Sequence, residues 1–199
     1  MRKTVILVSI ALFGFLATVP ARAQNLITSN PNFDTSDVSA WIANPPLSFV
    51  QDSSDAFGNV ASGSGHATNT HAGSFNSGPN TCLPGTITAG NSYDLGATIR
   101  VPAGQSAVGF ASISVYWYAA PGCGGAVLSA NSTPAPAANN TWTLSKLTGL
   151  TAPATATSAA IYLFVNKTVV GGSFEAYFDR IFLGPSGTTP VALQNFQVD

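Results

Sequence analysis

The chain has 199 residues, a formal net charge of −1 and only 8% charged residues, against roughly 25% in an ordinary soluble domain. So little charge leaves two classes, a membrane-embedded chain or an exported one kept in solution by Ser, Thr, Asn and Gly. Beyond residue 23 only four scattered cations remain, Arg100, Lys146, Lys167 and Arg180, too few for the clustered surface that tracks phosphates, so nucleic-acid binding is not expected.

Residues 1–23 choose between the two classes. Arg2 and Lys3 precede an apolar run from Val5 to Val19, and Ala21-Arg22-Ala23 is a small-x-small cleavage signal before Gln24. This pattern predicts a secretory signal peptide. The alternative, a membrane anchor, has a run that is short for a span. No Cys follows the cleavage point, and no later stretch approaches a span, so the mature chain is expected to have no transmembrane segment. Removing the leader takes Arg2, Lys3 and Arg22. Arg100, Lys146, Lys167 and Arg180 then face eight acids, and the exported part is acidic. The expected organisation is one domain over residues 24–184, followed by residues 185–199 as a linker with a short strand or tail. The expected state is a monomer.

Gly and Pro punctuate the region after the leader, and the segments between them alternate rather than repeat at helical spacing. In chain order, the first short strand candidates are Leu26–Thr28 and Leu47–Gln51. Residues 52–80, rich in Gly, Ser, Asn and His, read as loops with one short strand. Thr86–Thr88 is another short candidate. Ser92–Val101 places Tyr93, Leu95, Ala97 and Ile99 on one face. Gly109–Tyr118 places Ala111, Ile113, Val115 and Trp117 on one face, with Ser112, Ser114, Tyr116 and Tyr118 on the other. Ala126–Ser129 and Thr141–Leu150 follow. Ala159–Val165 sets Ile161, Leu163 and Val165 against Tyr162 and Phe164. Phe174–Leu183 puts Tyr177, Ile181 and Leu183 on the side of Asp179. Val191–Val198 alternates weakly. Strands at this spacing with no intervening helices predict an all-β sandwich.

Two cysteines, Cys82 and Cys123, remain in a chain read as exported. An even pair there reads as a disulfide, two free thiols being the alternative. No C-x-x-C spacing supports a redox or zinc site.

Three segments carry a family resemblance. NLITSNPNFDTSDVSAW, DSSDAFGNVASGSGHA and AYFDRIFLG, in that order, resemble the first strand and turn, the stretch before the second main strand, and the last strand of jelly-roll carbohydrate-binding modules of the galactose-binding-like type. The resemblance spans most of residues 25–184 and implies a one-domain jelly-roll β-sandwich. It differs at Asp179-Arg180, where an Asp-Asp pair is common, and the usual exposed tryptophans are not obvious. The fold also serves adhesive and structural roles.

The resemblance further implies a structural Ca2+ held by Asp34 and Asp179, with Asp52 or Asp55 completing the oxygen set. Against it stands an ordinary reading, in which Asp34 and Asp37 serve turns and Asp179 pairs with a nearby cation. For a ligand, Tyr116, Tyr118, Tyr162 and Phe164 lie on the strand faces opposite the expected core, where exposed rings would stack against sugars. The competing reading is ordinary packing on a covered sheet. Trp41, Trp117 and Trp142 are expected inside. His66 and His71 are expected to be solvated loop residues, since their spacing is not that of a helical metal pair. There is no G-x-S-x-G elbow. The single Glu, Glu175, is not singled out as half of a hydrolytic carboxylate pair. The sequons at Asn131, Asn139 and Asn166 matter only where exported proteins are glycosylated. The expected function is therefore an exported, non-catalytic module that binds a polysaccharide or surface glycan. The alternative is an exported structural or adhesion sandwich with no sugar ligand.

Overall fold

A computed structural model describes residues 24–188. The leader and the segment Val191–Val198 lie outside the described residues. Nine antiparallel strands are present among them, and no helix. They are β1 (Leu47–Asp52), β2 (Ser64–Asn69), β3 (Asn80–Leu83), β4 (Ser92–Arg100), β5 (Gly109–Tyr118), β6 (Val127–Ser132), β7 (Trp142–Thr151), β8 (Ser158–Lys167) and β9 (Phe174–Pro185). A five-stranded sheet has the order β1-β2-β9-β4-β7 and a four-stranded sheet the order β3-β8-β5-β6. The fold is the expected all-β sandwich.

The inner faces follow the alternation. Tyr93, Leu95, Ala97 and Ile99 of β4 meet Ala111, Ile113, Val115 and Trp117 of β5 and Ile161, Leu163 and Val165 of β8 in one core, each almost completely buried. Burying a side chain of this size stabilises by about 1.5–3 kcal/mol. Phe33, Trp41 and Phe49 close one end of the core as an aromatic trio, with ring centroids 5.6–6.2 Å apart. Gly65 of β2 sits beneath them. A Cβ there would lie 2.4 Å from Phe49 Cζ and 2.7 Å from Phe33 Cζ, so only glycine fits.

β2 has the sequence SGHATN and no β-branched or aromatic signature beyond Thr68. It forms because it lies between β1 and β9 and both neighbours satisfy its backbone. Thr86–Thr88 is not a strand; the pairing segment is Asn80–Leu83, which ends at the Pro84-Gly85 turn. Leu26–Thr28 is not a strand either, although Leu26 N donates to Leu183 O at 2.7 Å.

β9 corrects the expected facing of its residues. Phe174, Ala176 and Phe178 point into the core, and so do Ile181 and Leu183. The two sets are out of phase. Thr98 opposes Asp179 while Gly96 opposes Phe182, so β9 carries one extra residue over this stretch. Arg180, at φ +50°, takes up that β-bulge. Tyr177 therefore belongs to the outer face and not to the side of Ile181 and Leu183.

Cys82 and Cys123 form the expected disulfide, with a Cα–Cα distance of 6.0 Å. It ties β3 to the loop after β5. Ser158 Oγ donates to Ala120 O at 2.7 Å and accepts from Cys123 N at 3.0 Å. The loop thereby folds back over one end of the four-stranded sheet.

Candidate binding faces

Each sheet turns one face to the core and one outward, and the aromatic residues on the two outer faces differ in kind.

On the four-stranded sheet, Tyr116, Tyr162 and Phe164 come together as expected. Tyr116 and Tyr162 are 4.8 Å apart, and Tyr162 and Phe164 are 5.4 Å apart with rings within 11° of parallel. Burial raises both Tyr116 and Tyr162 above the ordinary phenol value; Tyr162 near Tyr116, and Tyr118 near Tyr162, add to it. Tyr118 does not join an exposed platform. It is 7% exposed, and its register partner is Ser158, the residue on which the disulfide-tied loop is fastened. Phe164 is equally buried. The platform expected from the sequence is thus corrected at Tyr118 and Phe164.

On the five-stranded sheet, cross-strand pairing sets one row of residues side by side. Val50 opposes His66, His66 opposes Tyr177, Tyr177 opposes Arg100, and Arg100 opposes Trp142. Neighbouring strands run about 4.8 Å apart, which is close to the separation of stacked planar groups. The His66 and Tyr177 rings stack at 4.2 Å with planes 4° apart. The Arg100 guanidinium lies 4.1 Å from the Tyr177 ring centre and 5.1 Å from that of Trp142. Four planar groups therefore stand in file across the sheet. Trp142 is half-buried in this row and not in the core, contrary to expectation. β7 is the sheet edge, so no further strand stands beyond it.

Polar groups surround the row. Glu175 Oε2 lies 3.0 Å from His66 Nε2. Gln105 braces the same strand, donating to Glu175 O at 2.8 Å and accepting from Glu175 N at 3.2 Å. Arg100 Nη2 donates to Ser54 Oγ at 2.9 Å, while its buried Nε has no partner. Burial disfavours the charged form of Asp52. Two bonds from Ser54 and the charges of His66 and Arg100 outweigh it and hold the carboxyl below the usual range. Burial pushes the Tyr177 hydroxyl up, as do Glu175 and Asp52, against a smaller opposing effect of Arg100. At neutral pH that hydroxyl is a donor. The face thus presents an aromatic row edged with a phenol, a guanidinium, an imidazole and two carboxylates. Such an arrangement can hydrogen-bond ring hydroxyls and lay an apolar ring against Trp142.

The sequence points to none of His66, Tyr177, Arg100 and Trp142 as a ligand contact: it puts His66 in a loop, Trp142 inside and Tyr177 on the side of Asp179, Ile181 and Leu183. The available signal was the out-of-phase apolar pattern of FEAYFDRIFL, which marks a bulge.

Of the residues expected to hold calcium, Asp34 and Asp55 both take a bond from Ser62, and Asp55 is near enough to Asp179 to raise its carboxyl. Asp34 accepts from Ser62 Oγ at 2.6 Å, and Asp52 is engaged by Ser54. Asp179 is buried and accepts from Ala56 N at 3.1 Å and Arg180 N at 2.6 Å. Among the described residues, no three carboxylate, imidazole or thiolate side chains are arranged to hold a metal ion. Arg180 brings a positive charge close enough to favour ionisation of both Asp55 and Asp179. Where the resemblance expects a second acid, the chain supplies its own cation. Ca2+ wants six to eight oxygens, and Arg180 stands beside two of the carboxylates that would supply them. His71 stacks on Phe75 at 4.3 Å and is not a free loop residue.

No family model matches the sequence, and no curated protein matches it. Solved structures do. The enzymatically active domain of bacteriophage CBA120 tailspike protein 4 superposes with a TM-score of 0.61 at 14% identity, over 81% of this chain; the match covers only 21% of that protein. The CBM22-1 xylan-binding domain of Paenibacillus barcinonensis Xyn10C gives a TM-score of 0.59 at 15% identity, covering 83% of this chain and 96% of that domain. The C-terminal family 22 carbohydrate-binding module of Clostridium thermocellum Xyn10B gives 0.55 at 18% identity, covering 79% and 92%. The fold is that of the β-sandwich carbohydrate-binding modules, in agreement with the family resemblance of the sequence.

Proposed function

We propose that the chain is an exported carbohydrate-binding module. It holds a polysaccharide across the outer face of the five-stranded sheet and does no chemistry on it. The observation that carries this is the row His66–Tyr177–Arg100–Trp142, with Glu175 and Gln105 beside it. Stacking a cation between two aromatic rings stabilises any sandwich, but it does not account for the buried guanidinium N–H left unpaired. The same arrangement suits a hydroxyl-rich ring. Export is supported by the leader pattern of residues 1–23 and by the disulfide. The only glutamate is engaged by His66 and braced by Gln105, which suits binding more than proton transfer. The module is read as a monomer.

The test is affinity electrophoresis and calorimetry of residues 24–199 against soluble xylan and β-1,4-galactan, with reducing-end release measured alongside. One of these polymers is expected to bind, with no new reducing ends. Tyr177→Ala is expected to weaken binding by at least tenfold with the melting temperature nearly unchanged. Equal binding by Tyr177→Ala and the native chain would refute the assignment of the face.

A further inference from the structure

Residues 25–27 do for one end of β9 what β2 does for the other. β2 pairs with β9 over Phe174–Phe178 only. Beyond the bulge at Arg180, Asn25 and Leu26 take its place along the side of β9 that faces away from β4. Leu26 N donates to Leu183 O at 2.7 Å. Asn25 Nδ2 donates to Ile181 O at 2.7 Å, and Asn25 Oδ1 accepts from the N–H groups of Leu183 and Ile27 at 3.2 and 3.1 Å. Ile181 and Leu183 are buried, so without Asn25 two buried backbone groups would lose a partner.

Gln24 stands immediately before this anchor. Its carbonyl oxygen is seated on Gly184, where a Cβ would run into Gln24 O and the Phe182 ring. Gln24 itself is exposed, and its side chain makes no hydrogen bond among the described residues. The backbone of residue 24 is thus held while its side chain is free to turn back toward its own nitrogen. The leader motif Ala21-Arg22-Ala23 ends one residue earlier. Hydrolysis of the Ala23–Gln24 bond by a signal peptidase consumes one water and frees the α-amine of Gln24. An α-amine titrates at about pH 8, so at neutral pH part of it is unprotonated and nucleophilic. The electrophile is the side-chain amide of the same residue.

We infer that Gln24 is a modification site, closed to pyroglutamate in the exported chain; the inference rests on the export reading of residues 1–23. The α-nitrogen attacks Cδ. A C–N bond forms, the Cδ–Nε2 bond breaks, and the side-chain nitrogen leaves as ammonia with a proton from the α-amine. No oxidant, reductant or metal takes part. The product is a neutral lactam, which removes the terminal charge and gives aminopeptidases no free amine. It thereby guards Asn25, the next residue in the chain, whose side chain completes the hydrogen bonding of β9. Ring closure uses only the side chain and amine of residue 24, so the anchor at Asn25 is undisturbed.

The experiment expresses the full 199-residue chain, leader included, in an exporting bacterium. The exported protein is read by intact mass and by Edman sequencing. The expected mass is that of residues 24–199 with the disulfide closed, less one ammonia. Sequencing should be blocked until a pyroglutamyl peptidase removes the ring, and should then open on Asn25-Leu26-Ile27. Gln24→Ala should sequence without that enzyme and should lose its first residue to an aminopeptidase that leaves the native chain intact. Should the variant not be exported, the native chain alone decides. A native chain that begins at Gln24 and keeps a free amine and full mass after prolonged incubation at neutral pH overturns the cyclisation and leaves export standing. A start at another residue after the leader does the same. A chain that still begins at Met1 overturns both.

Discussion

The two outer faces of this sandwich are built on the same pleat and spacing, yet they carry opposite chemistry. The five-stranded face sets charged and aromatic groups in alternation across neighbouring strands: His66, Tyr177, Arg100 and Trp142, with Glu175 and Asp52 alongside. The four-stranded face is neutral, made of tyrosines, Phe110, Phe164 and serines. On the first, planar groups stand side by side because register partners lie one strand apart, near the stacking distance. On the second, Tyr162 and Phe164 stack along one strand, and a loop held by the disulfide folds over the end near Tyr118. A strand period of two settles which residues leave the core. The identity of the neighbour in register settles what they become.

The comparison can be broken most severely at the disulfide. Cys82→Ser with Cys123→Ser is expected to cost about 4 kcal/mol in the chain-entropy model, a drop in melting temperature on the order of 10 °C. The change acts through the four-stranded sheet. Polysaccharide affinity at the five-stranded face, measured by calorimetry well below the melting point, should be unchanged. A parallel loss of affinity would mean the two faces are coupled.

A smaller effect tests the charged row itself. Arg100→Gln removes the cation between Tyr177 and Trp142, an interaction worth about 0.5–2 kcal/mol, and should weaken polysaccharide binding roughly tenfold. The environment of Trp142 changes with it and should shift the tryptophan emission. Arg100→Lys keeps the charge but loses the flat guanidinium, so it should recover only part of the affinity. Full recovery would show that charge and not stacking organises the row.

A third test, read as a slope with pH, concerns the bulge that turns Tyr177 outward. Burial drives the Asp179 carboxyl up from 3.8 to about 7, against the backbone N–H groups of Ala56 and Arg180 that favour its ionised form; Asp55 raises it further and Arg180 lowers it. The folded chain therefore holds this proton over a pH range in which the unfolded chain has lost it. This contribution is fully present below about pH 4 and is lost as pH rises through about 7. Asp179→Asn cannot titrate, so the melting temperature of the variant relative to the native chain should climb between pH 4 and 7. Parallel melting profiles would remove Asp179 as the source of any slope. Because Arg180 supplies the local cation, excess calcium and a strong chelator should give the same melting temperature; a calcium-dependent rise would restore the metal site.

Much of the fold was legible because it rests on local signals. The alternation of β4, β5 and β8 named the core residues that are now seen buried, and the even cysteine pair named the disulfide. β2 was hardly legible, because SGHATN forms a strand only when two neighbours supply its hydrogen bonds and two phenylalanine rings occupy the space above Gly65. The binding faces were legible by halves. Tyr116, Tyr162 and Phe164 do gather as their alternation implies, but no property of residues 119–125 taken alone says that they fold back beside Tyr118. His66 and Trp142 lie 76 positions apart in the sequence and three strands apart in the sheet, and nothing local relates them.

The sequence by itself determined the class of architecture, the core and the covalent tie, since each depends on periodicity, composition or residue count. The tertiary structure decided which residues share an outer face. A single extra residue in β9 exchanges inside for outside along half a strand, and only pairing with β4 shows where it falls. Sheet order then sets a histidine, a tyrosine, an arginine and a tryptophan from four separate strands into one row. Stacking and unpaired polar atoms depend on these distances through space, which the order of residues along the chain does not contain.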